Sequence, residues 1–378
     1  MSSTGHFPLL QTWVHVAIFP NLWDANSKFT GKLTILLMLE NPAQTGLFDM
    51  TLDPHSLTHE HPFDPTYGYD LDDLLAVQSP EQPHGFEGFW TDSYQKAMDH
   101  KLEYEKIETQ QDDDRFTLYK VMYAGIDGMT VGAWLAVPKG EIKRGRVQGH
   151  GYGGRESLEC KDIADGVATI APVARGFHIS ANESLPIENQ GHKHVIIGID
   201  HVETYIHRKV VQDMWIAQSI LLAELPELQN QVDYEGGSFG GGMGAMCVAW
   251  DKRIQSAHLH VPSHGNYPLR LTIPCVGSQN AVTSYYHSHP GVLKTLAFHD
   301  AAIHARYITV PTSFTCALFD PAVPPPGQFS VHNEVKPQLR KLFVITAGHH
   351  AYPEEVAETQ AGHDKGRQWR MEQLGATV

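Results

Sequence analysis

The stretch Tyr234-Glu235-Gly236-Gly237-Ser238-Phe239-Gly240-Gly241-Gly242 decides the fold of this chain. It contains the pattern G-x-S-x-G, which is typical of a nucleophile elbow, a sharp turn that presents a serine between a strand and a helix. Gly236 and Gly240 are expected near such a serine because larger side chains would collide where the chain reverses. Residues 231–234 can form the strand and residues 244–250 a buried helix. An ordinary glycine-rich turn stays open as the alternative on this pattern alone.

Two more polar residues follow predicted strands downstream of Ser238. Residues 312–319 form an apolar run that ends at Asp320, and residues 341–346 form a second run shortly before His349. A serine, an acid and a histidine in this order, each after a strand, are typical of the α/β-hydrolase fold. We therefore predict an α/β-hydrolase with a mostly parallel central sheet and helices on both faces. Taken singly, the acid could be a turn former before proline and the histidine a surface-loop residue.

The chemistry of the three residues assigns each a role. Ser238 becomes nucleophilic only when a base removes its proton, and histidine suits that task near neutral pH. Asp320 would hold the imidazole of His349 in the useful tautomer and stabilise the imidazolium that forms. His350 competes for the role of base, and His349 is preferred because it directly follows the small residue Gly348.

An ester's tetrahedral intermediate also needs an oxyanion hole. One donor is expected to be the backbone N–H of Phe239, the residue after the serine. The oxyanion loop, residues 148–154 with the sequence QGHGYGG, follows a predicted strand and is rich in glycine. The backbone N–H of Tyr152 is our candidate for the second donor, with its ring as a wall of the pocket. A plain glycine-rich turn is the alternative for this loop.

With these pieces in place, the chain resembles carbohydrate esterase family 7, the acetyl xylan esterases and cephalosporin C deacetylases. The resemblance runs from about residue 86 to residue 352 and is carried by Phe86-Glu87-Gly88-Phe89-Trp90, residues 121–138, 150–154 and 237–242, Gly198-Ile199, Thr204-Tyr205 and residues 319–325. It implies a serine esterase that removes short acyl groups, acetyl foremost, from carbohydrates or similar alcohols through an acyl-enzyme. It also implies a homo-oligomer, often a hexamer.

Several positions near the site need separate comment. Phe177 and Phe239 stand where family members usually carry glutamine, and His350 stands where they carry glutamate. These differences predict more apolar surroundings for the pocket and a divergent branch of the family. The arginine of the family's R-G-x segment is Arg175, for which the resemblance implies a structural salt bridge rather than a catalytic role.

Other functions remain open on the same residues. A peptidase or another acyl hydrolase is possible, since a fold does not determine the substrate. A catalytically silent scaffold that binds carbohydrate or a partner is the alternative from a different class. The complete set of serine, acid and histidine argues against the silent scaffold.

Composition limits the partners and the compartment. The 378 residues carry a formal net charge of −15, which argues against nucleic acid or an anionic membrane as a partner. Four cysteines, at 160, 247, 275 and 316, predict buried thiols rather than a disulfide framework. The start of the chain lacks a cationic segment, and no apolar run approaches the roughly 20 residues that span a bilayer. We expect a cytoplasmic protein that binds a small acylated substrate, an acetylated sugar foremost.

The 24 histidines raise the question of a metal site. His258 with His260, His287 with His289, and the cluster at 55, 59 and 61 have spacings that could bring ligands together. They lack the paired cysteine or glutamate set of a recognised zinc motif. We expect neither a metal ion nor a cofactor, and a metal site stays the lesser alternative.

The chain is expected to have two parts. Residues 1–85 predict a β-rich N-terminal extension and a linker, and residues 86–378 the α/β-hydrolase catalytic domain. Within the second part, we predict long helices over residues 90–104 and 202–225.

Overall fold

The computed structural model describes residues 52–111, 113–183, 185 and 191–376. The chain divides into two units, Met1–Asn41 and Pro42–Val378. The first unit, with most of the predicted N-terminal strands, lies outside the described residues. The architecture below is that of the second unit.

A nine-stranded sheet forms the centre of the described residues. Its strands are β1 Tyr104–Glu108, β2 Phe116–Ala124, β3 Thr130–Pro138, β4 Arg144–Gly149, β5 Val167–Pro172, β6 Val232–Gly237, β7 Ile254–His260, β8 Thr312–Phe319 and β9 Arg340–Ala347. They lie in the order β1-β2-β3-β5-β4-β6-β7-β8-β9. The strands from β5 to β9 in this order are parallel, and β1, β2 and β3 form the antiparallel end. The predicted mostly parallel sheet is confirmed.

Helices pack against this sheet. The α-helices are α1 Leu71–Ala76, α2 Phe86–Met98, α3 Ile206–Glu224, α4 Phe239–Trp250, α5 Tyr267–Arg270, α6 Gln279–Ser288, α7 Leu293–Phe298, α8 Ala301–Ala305, α9 Pro325–Glu334 and α10 Glu355–Gln373. Helix α3 contacts β5, α4 contacts β6 and β7, and α10 contacts β8 and β9. The fold is that of an α/β-hydrolase, as the order of the sequence motifs predicted.

The predicted elements that position the site agree closely with the structure. Strand β8 has the predicted bounds, and all eight of its residues are buried, as expected for a parallel strand covered on both faces. Helix α4 begins at Phe239, five residues before the predicted start, and is buried over its whole length. Its glycines oppose helix formation by about 1 kcal/mol each, so packing rather than propensity holds α4 together.

Two predicted helices were too long. The helix predicted over residues 90–104 spans Phe86–Met98 instead, so it begins four residues earlier and ends before Tyr104, which begins β1 and pairs with β2. The helix predicted from residue 202 begins at Ile206. The residues before it form hydrogen-bonded turns, such as the bond from Thr204 N to His201 O.

The described residues before the predicted boundary at residue 85 contact the catalytic part of the chain. Leu74 is fully buried, and the Asn333 side chain donates hydrogen bonds to the carbonyls of Leu74 and Val77. The backbone N–H of Asp320 donates to the carbonyl of Pro65 at 3.0 Å. The segment before residue 85 therefore packs beside the candidate acid, while the boundary itself stays a prediction.

A buried salt bridge ties the sheet to its covering helix. Arg175, just after β5, donates two hydrogen bonds of 2.6 Å to Asp213 of α3 and one of 2.8 Å to Asp127 in the turn between β2 and β3. Lys209 also donates to Asp127 at 2.8 Å. Burial raises the pKa of Asp213 although Arg175 opposes this. The structure thus contains the salt bridge that the resemblance implied for Arg175.

Replacing Arg175 by methionine is expected to lower the free energy of unfolding by about 3–5 kcal/mol, because Asp213 is left as an unpaired buried carboxylate. Urea unfolding measures the change. The matched control is Lys96→Met, which removes the exposed ion pair with Asp92 and is expected to cost less than about 1 kcal/mol. Equal small effects in the two variants would contradict the structural role of Arg175.

Candidate active site

The three predicted residues meet at one edge of the sheet. Ser238 Oγ lies 3.0 Å from His349 Nε2, and His349 Nδ1 lies 2.9 Å from Asp320 Oδ2. The residues follow β6, β9 and β8, whose parallel carboxyl ends share this edge. A carboxylate only accepts hydrogen bonds, so Nδ1 carries the proton and Nε2 is free to accept the serine proton.

The serine occupies a strained turn. Its backbone has φ 53° and ψ −115°, outside the regions that ordinary residues prefer. The N–H of Ser238 donates to the carbonyl of His260, and the Ser238 carbonyl accepts from the N–H groups of Gly242 and Ser263. These bonds to the helix and to the end of β7 hold the strained conformation.

The two glycines of the nucleophile elbow are required by close backbone contacts. A Cβ atom on Gly236 would lie 2.6 Å from the carbonyl oxygen of Gly240. A Cβ atom on Gly240 would lie 2.8 Å from the carbonyl oxygen of His150 in the oxyanion loop. The start of α4 therefore packs directly on the oxyanion loop, with no room for a side chain.

Asp320 is held by a fixed set of donors. It is fully buried, and its Oδ1 accepts hydrogen bonds from the backbone N–H groups of Ala322 and Val323. Its Oδ2 accepts from Gln328 Nε2 at 3.0 Å, in addition to the bond with His349. Gln328 was missed by the sequence analysis. The only signal in the sequence was its position shortly after Pro324-Pro325-Pro326, near the start of α9.

His349 is adapted to act as a base. Burial lowers the pKa of its imidazole, but the hydrogen bond and charge of Asp320 outweigh burial and raise the pKa above the ordinary 6.5. The competing residue, His350, lies elsewhere. Its ring packs 4.9 Å from the ring of Phe319 and 6.2 Å from that of His61. The geometry therefore favours His349 over His350.

The oxyanion loop adjoins the nucleophile elbow. Phe239 is the first residue of α4, so its N–H has no partner within the helix and lies at the positive end of the helix dipole. The rings of Tyr152 and Phe239 lie 5.7 Å apart. The roles of the two backbone N–H groups stay a prediction.

One residue of the predicted oxyanion loop has a role that the sequence analysis did not assign, since its side chain fixes the loop. His150 Nε2 accepts a hydrogen bond of 2.9 Å from the N–H of Ala174, so its proton is on Nδ1, which donates to the carbonyl of Gly151 at 2.7 Å. Burial lowers the pKa of His150 to about 4. The ring is therefore neutral near pH 7 and ties the loop to the segment after β5.

The catalytic cavity has a volume of about 350 Å³ and contains both Ser238 and His349. Its wall consists of Gly151, Tyr152, Ser238, Phe239, Ser263, Arg270, Val276, Gly277, Ser278, Ala322, Val323 and His349. The wall includes Phe239 but also carries an arginine and two further serines, so the expectation of surroundings more apolar than in the family stays a prediction. Phe177 packs on His194 with a ring distance of 4.6 Å and is absent from this wall.

The histidine pairs do not form a metal site in the part of the chain that the structure describes. No group of three or more His, Cys, Asp or Glu side chains there is placed to hold a metal ion. His258 is buried in the sheet with its Nδ1 at 2.8 Å from Ser313 Oγ, and burial holds its pKa well below the ordinary value. The His289 ring stacks on Tyr285.

Three of the four free cysteines are buried, and Cys275 is partly exposed.

Comparison with known proteins places this chain. The family model of the acetyl xylan esterases (AXE1) matches residues 69–366. Two similar solved structures are an acetyl xylan esterase from Paenibacillus sp. R4, at 21% identity with a TM-score of 0.69, and acetyl xylan esterase 1 from Thermoanaerobacterium sp. JW/SL YS485, at 19% with 0.68. The alignments cover 78% and 80% of this chain and 99% of each of those chains.

A more distant structural neighbour is a puromycin-hydrolyzing peptidase from Mycobacterium tuberculosis, at 16% identity and a TM-score of 0.53 over 71% of this chain and 41% of that one. A search of curated proteins gave no match. The structural likenesses support the fold, and the family model, which spans more than half of the chain, decides the family. The chain belongs to the acetyl xylan esterase family and is a carboxylic ester hydrolase.

Proposed function

We propose that Ser238, His349 and Asp320 form the catalytic triad of this serine esterase and that it removes acetyl groups from carbohydrates or similar alcohols. The observation that carries the proposal is the continuous chain of hydrogen bonds, 3.0 Å from serine to histidine and 2.9 Å from histidine to aspartate, in the wall of the catalytic cavity. Membership of the acetyl xylan esterase family supports the substrate class.

The geometry supports an acylation step by this triad. His349 Nε2 takes the proton of Ser238 as Oγ attacks the ester carbonyl, and Asp320 stabilises the imidazolium through Nδ1. The negative charge that develops on the carbonyl oxygen is stabilised by the backbone N–H groups of Phe239 and Tyr152. The tetrahedral intermediate collapses as Nε2 returns the proton to the leaving alcohol. This leaves an acetyl group on Ser238.

Deacylation repeats the same transfers with water. His349 takes a proton from the water that attacks the acyl-enzyme, and it then protonates Ser238 Oγ as acetate leaves. The raised pKa of His349 favours its role as acceptor of this proton.

Replacing Ser238 by alanine is expected to lower kcat for 4-nitrophenyl acetate and for acetylated xylo-oligosaccharides by on the order of 10⁶-fold, because the nucleophile is removed. Ser278→Ala, which changes another serine of the same cavity, is the control and should keep most of the activity. Undiminished hydrolysis by Ser238→Ala would exclude the proposed triad.

The same assays separate the alternatives. Activity on aryl esters alone would support the esterase chemistry and reject an acetylated sugar as the substrate. Cleavage of the matching anilide at a similar rate would favour a peptidase. Failure of Ser238 to react with a sulfonyl fluoride would favour a silent scaffold.

The pH profile tests the base. Protonation inactivates His349, so kcat/KM for 4-nitrophenyl acetate should fall as pH decreases, with a midpoint above 6.5 because Asp320 raises the pKa. In Asp320→Asn the raising interactions are lost and burial, which lowers the pKa, remains. The midpoint of the residual activity should therefore move to lower pH. A midpoint that is unchanged in the variant would contradict the assignment of His349.

We also propose that the protein is a homo-oligomer, as the family resemblance implied, and that it is cytoplasmic, as the sequence suggested. The four free cysteines are compatible with a reducing compartment. No helix among the described residues is long and apolar enough to cross a membrane. Light scattering against the monomer mass of 42.1 kDa tests the assembly, and fractionation of the source cells tests the compartment.

A further inference from the structure

Arg270 lies in an unusual place for a cationic side chain. It is the last residue of α5 and is only 2% exposed. It lines the catalytic cavity together with Ser238 and His349. A guanidinium is charged at every physiological pH, so this cavity contains a permanent positive charge.

No carboxylate of the described residues forms a salt bridge with this charge, although the buried carboxylate of Asp300 interacts with it electrostatically. The Nε and Nη1 atoms of Arg270 are buried without a hydrogen-bond partner, and the salt bridges of the described residues do not include Arg270. Two other buried arginines do have carboxylate partners: Arg175 is paired with Asp213, and Arg146 with Glu235. A buried cation without a partner is costly, so a partner from outside the chain is expected.

The carboxylate that interacts with Arg270, that of Asp300, already accepts hydrogen bonds from other donors, and so does the nearby catalytic acid of the proposed triad. Asp300 accepts hydrogen bonds from the backbone N–H groups of Asn266, Tyr267 and Ala302. Asp320 is occupied by His349 and the donors described above. The positive charge of Arg270 is therefore available to a ligand in the catalytic cavity.

A serine hydroxyl accompanies the arginine. Ser263 lines the cavity, is 5% exposed, and its Oγ is buried without a hydrogen-bond partner among the described residues. Its backbone N–H is bonded to the carbonyl of Ser238, which places this residue directly beside the nucleophile. A guanidinium and a hydroxyl that line the same cavity are donors suited to a carboxylate.

We propose that Arg270 binds a carboxylate of the substrate, so that the preferred ester is an acylated sugar acid or hydroxy acid, or a monoester of a dicarboxylic acid. The proposal rests on the esterase function proposed above and narrows its substrate class. Arginine suits this role because its planar fork can bind a carboxylate through two hydrogen bonds. A cavity of about 350 Å³ is within the usual size range for binding small molecules.

Matched ester pairs test the proposal and locate the carboxylate. Phenyl acetate and 4-acetoxybenzoate differ by a carboxylate on the alcohol, and 4-nitrophenyl butyrate and mono-4-nitrophenyl succinate differ by one on the acyl group. Arg270→Gln should lower kcat/KM for the anionic member of one pair by about 10- to 100-fold, mostly through KM. The neutral esters should change by less than about threefold, and Arg270→Lys should restore part of the loss.

Stability and direct binding give readouts that do not depend on turnover. Arg270→Gln removes an unpaired buried charge, so its Tm should not fall. Calorimetry with Ser238→Ala should detect binding of mono-4-nitrophenyl succinate or of 4-acetoxybenzoate, and the added change Arg270→Gln should abolish it. Ser238→Ala with Lys96→Met, which changes an exposed residue outside the cavity, is the control and should still bind.

Several results would overturn the proposal. One is an equal loss of kcat/KM on neutral and anionic esters in Arg270→Gln. The others are a marked fall in the Tm of this variant together with a shifted pH profile, and binding of the anionic ester that persists without Arg270. Absence of Ser238-dependent hydrolysis of every ester would reject the proposed function instead. The calorimetry would still decide whether Arg270 binds a carboxylate.

Discussion

The close contact between the start of α4 and the oxyanion loop is the constraint on which the site depends. At Gly240 the two backbones approach so closely that a Cβ atom would collide with the carbonyl of His150. This contact brings the N-terminus of α4 beside the loop, and the backbone hydrogen bonds of Ser238 hold the turn in its strained conformation. Backbone packing and backbone hydrogen bonds thus position the nucleophile, and the His150 side chain also helps to fix the oxyanion loop.

The acid and the base are fixed in a different way. They stand on loops after β8 and β9, and hydrogen bonds rather than packing orient them. Four donors converge on Asp320, two of them backbone N–H groups. Because Oδ1 of Asp320 already accepts two backbone hydrogen bonds, Asp320 presents Oδ2 to His349. This interaction outweighs the effect of burial on the pKa of the imidazole.

The parts of the site that the sequence predicted are those whose chemistry is tied to local sequence. The nucleophile elbow is a contiguous motif, and Asp320 and His349 each end an apolar run that became β8 or β9. Gln328 and the role of His150 were missed because each acts through a contact with another segment. The start of β1 was missed because its partner in β2, rather than its own pattern, makes it a strand. The N-terminal strands lie outside the described residues and stay a prediction.

The buried arginines show how the same side chain serves two purposes. Arg175 is enclosed with Asp213, its charge is compensated within the chain, and it contributes to the scaffold. Arg270 is as deeply buried but reaches a cavity in place of a carboxylate. A protein selected for stability alone would gain by replacing such a residue with an apolar one. A cation without a salt-bridge partner, in the same cavity as the nucleophile, is what a site for an anionic ligand requires. The ligand then supplies the missing partner, and its binding is coupled to the reacting ester.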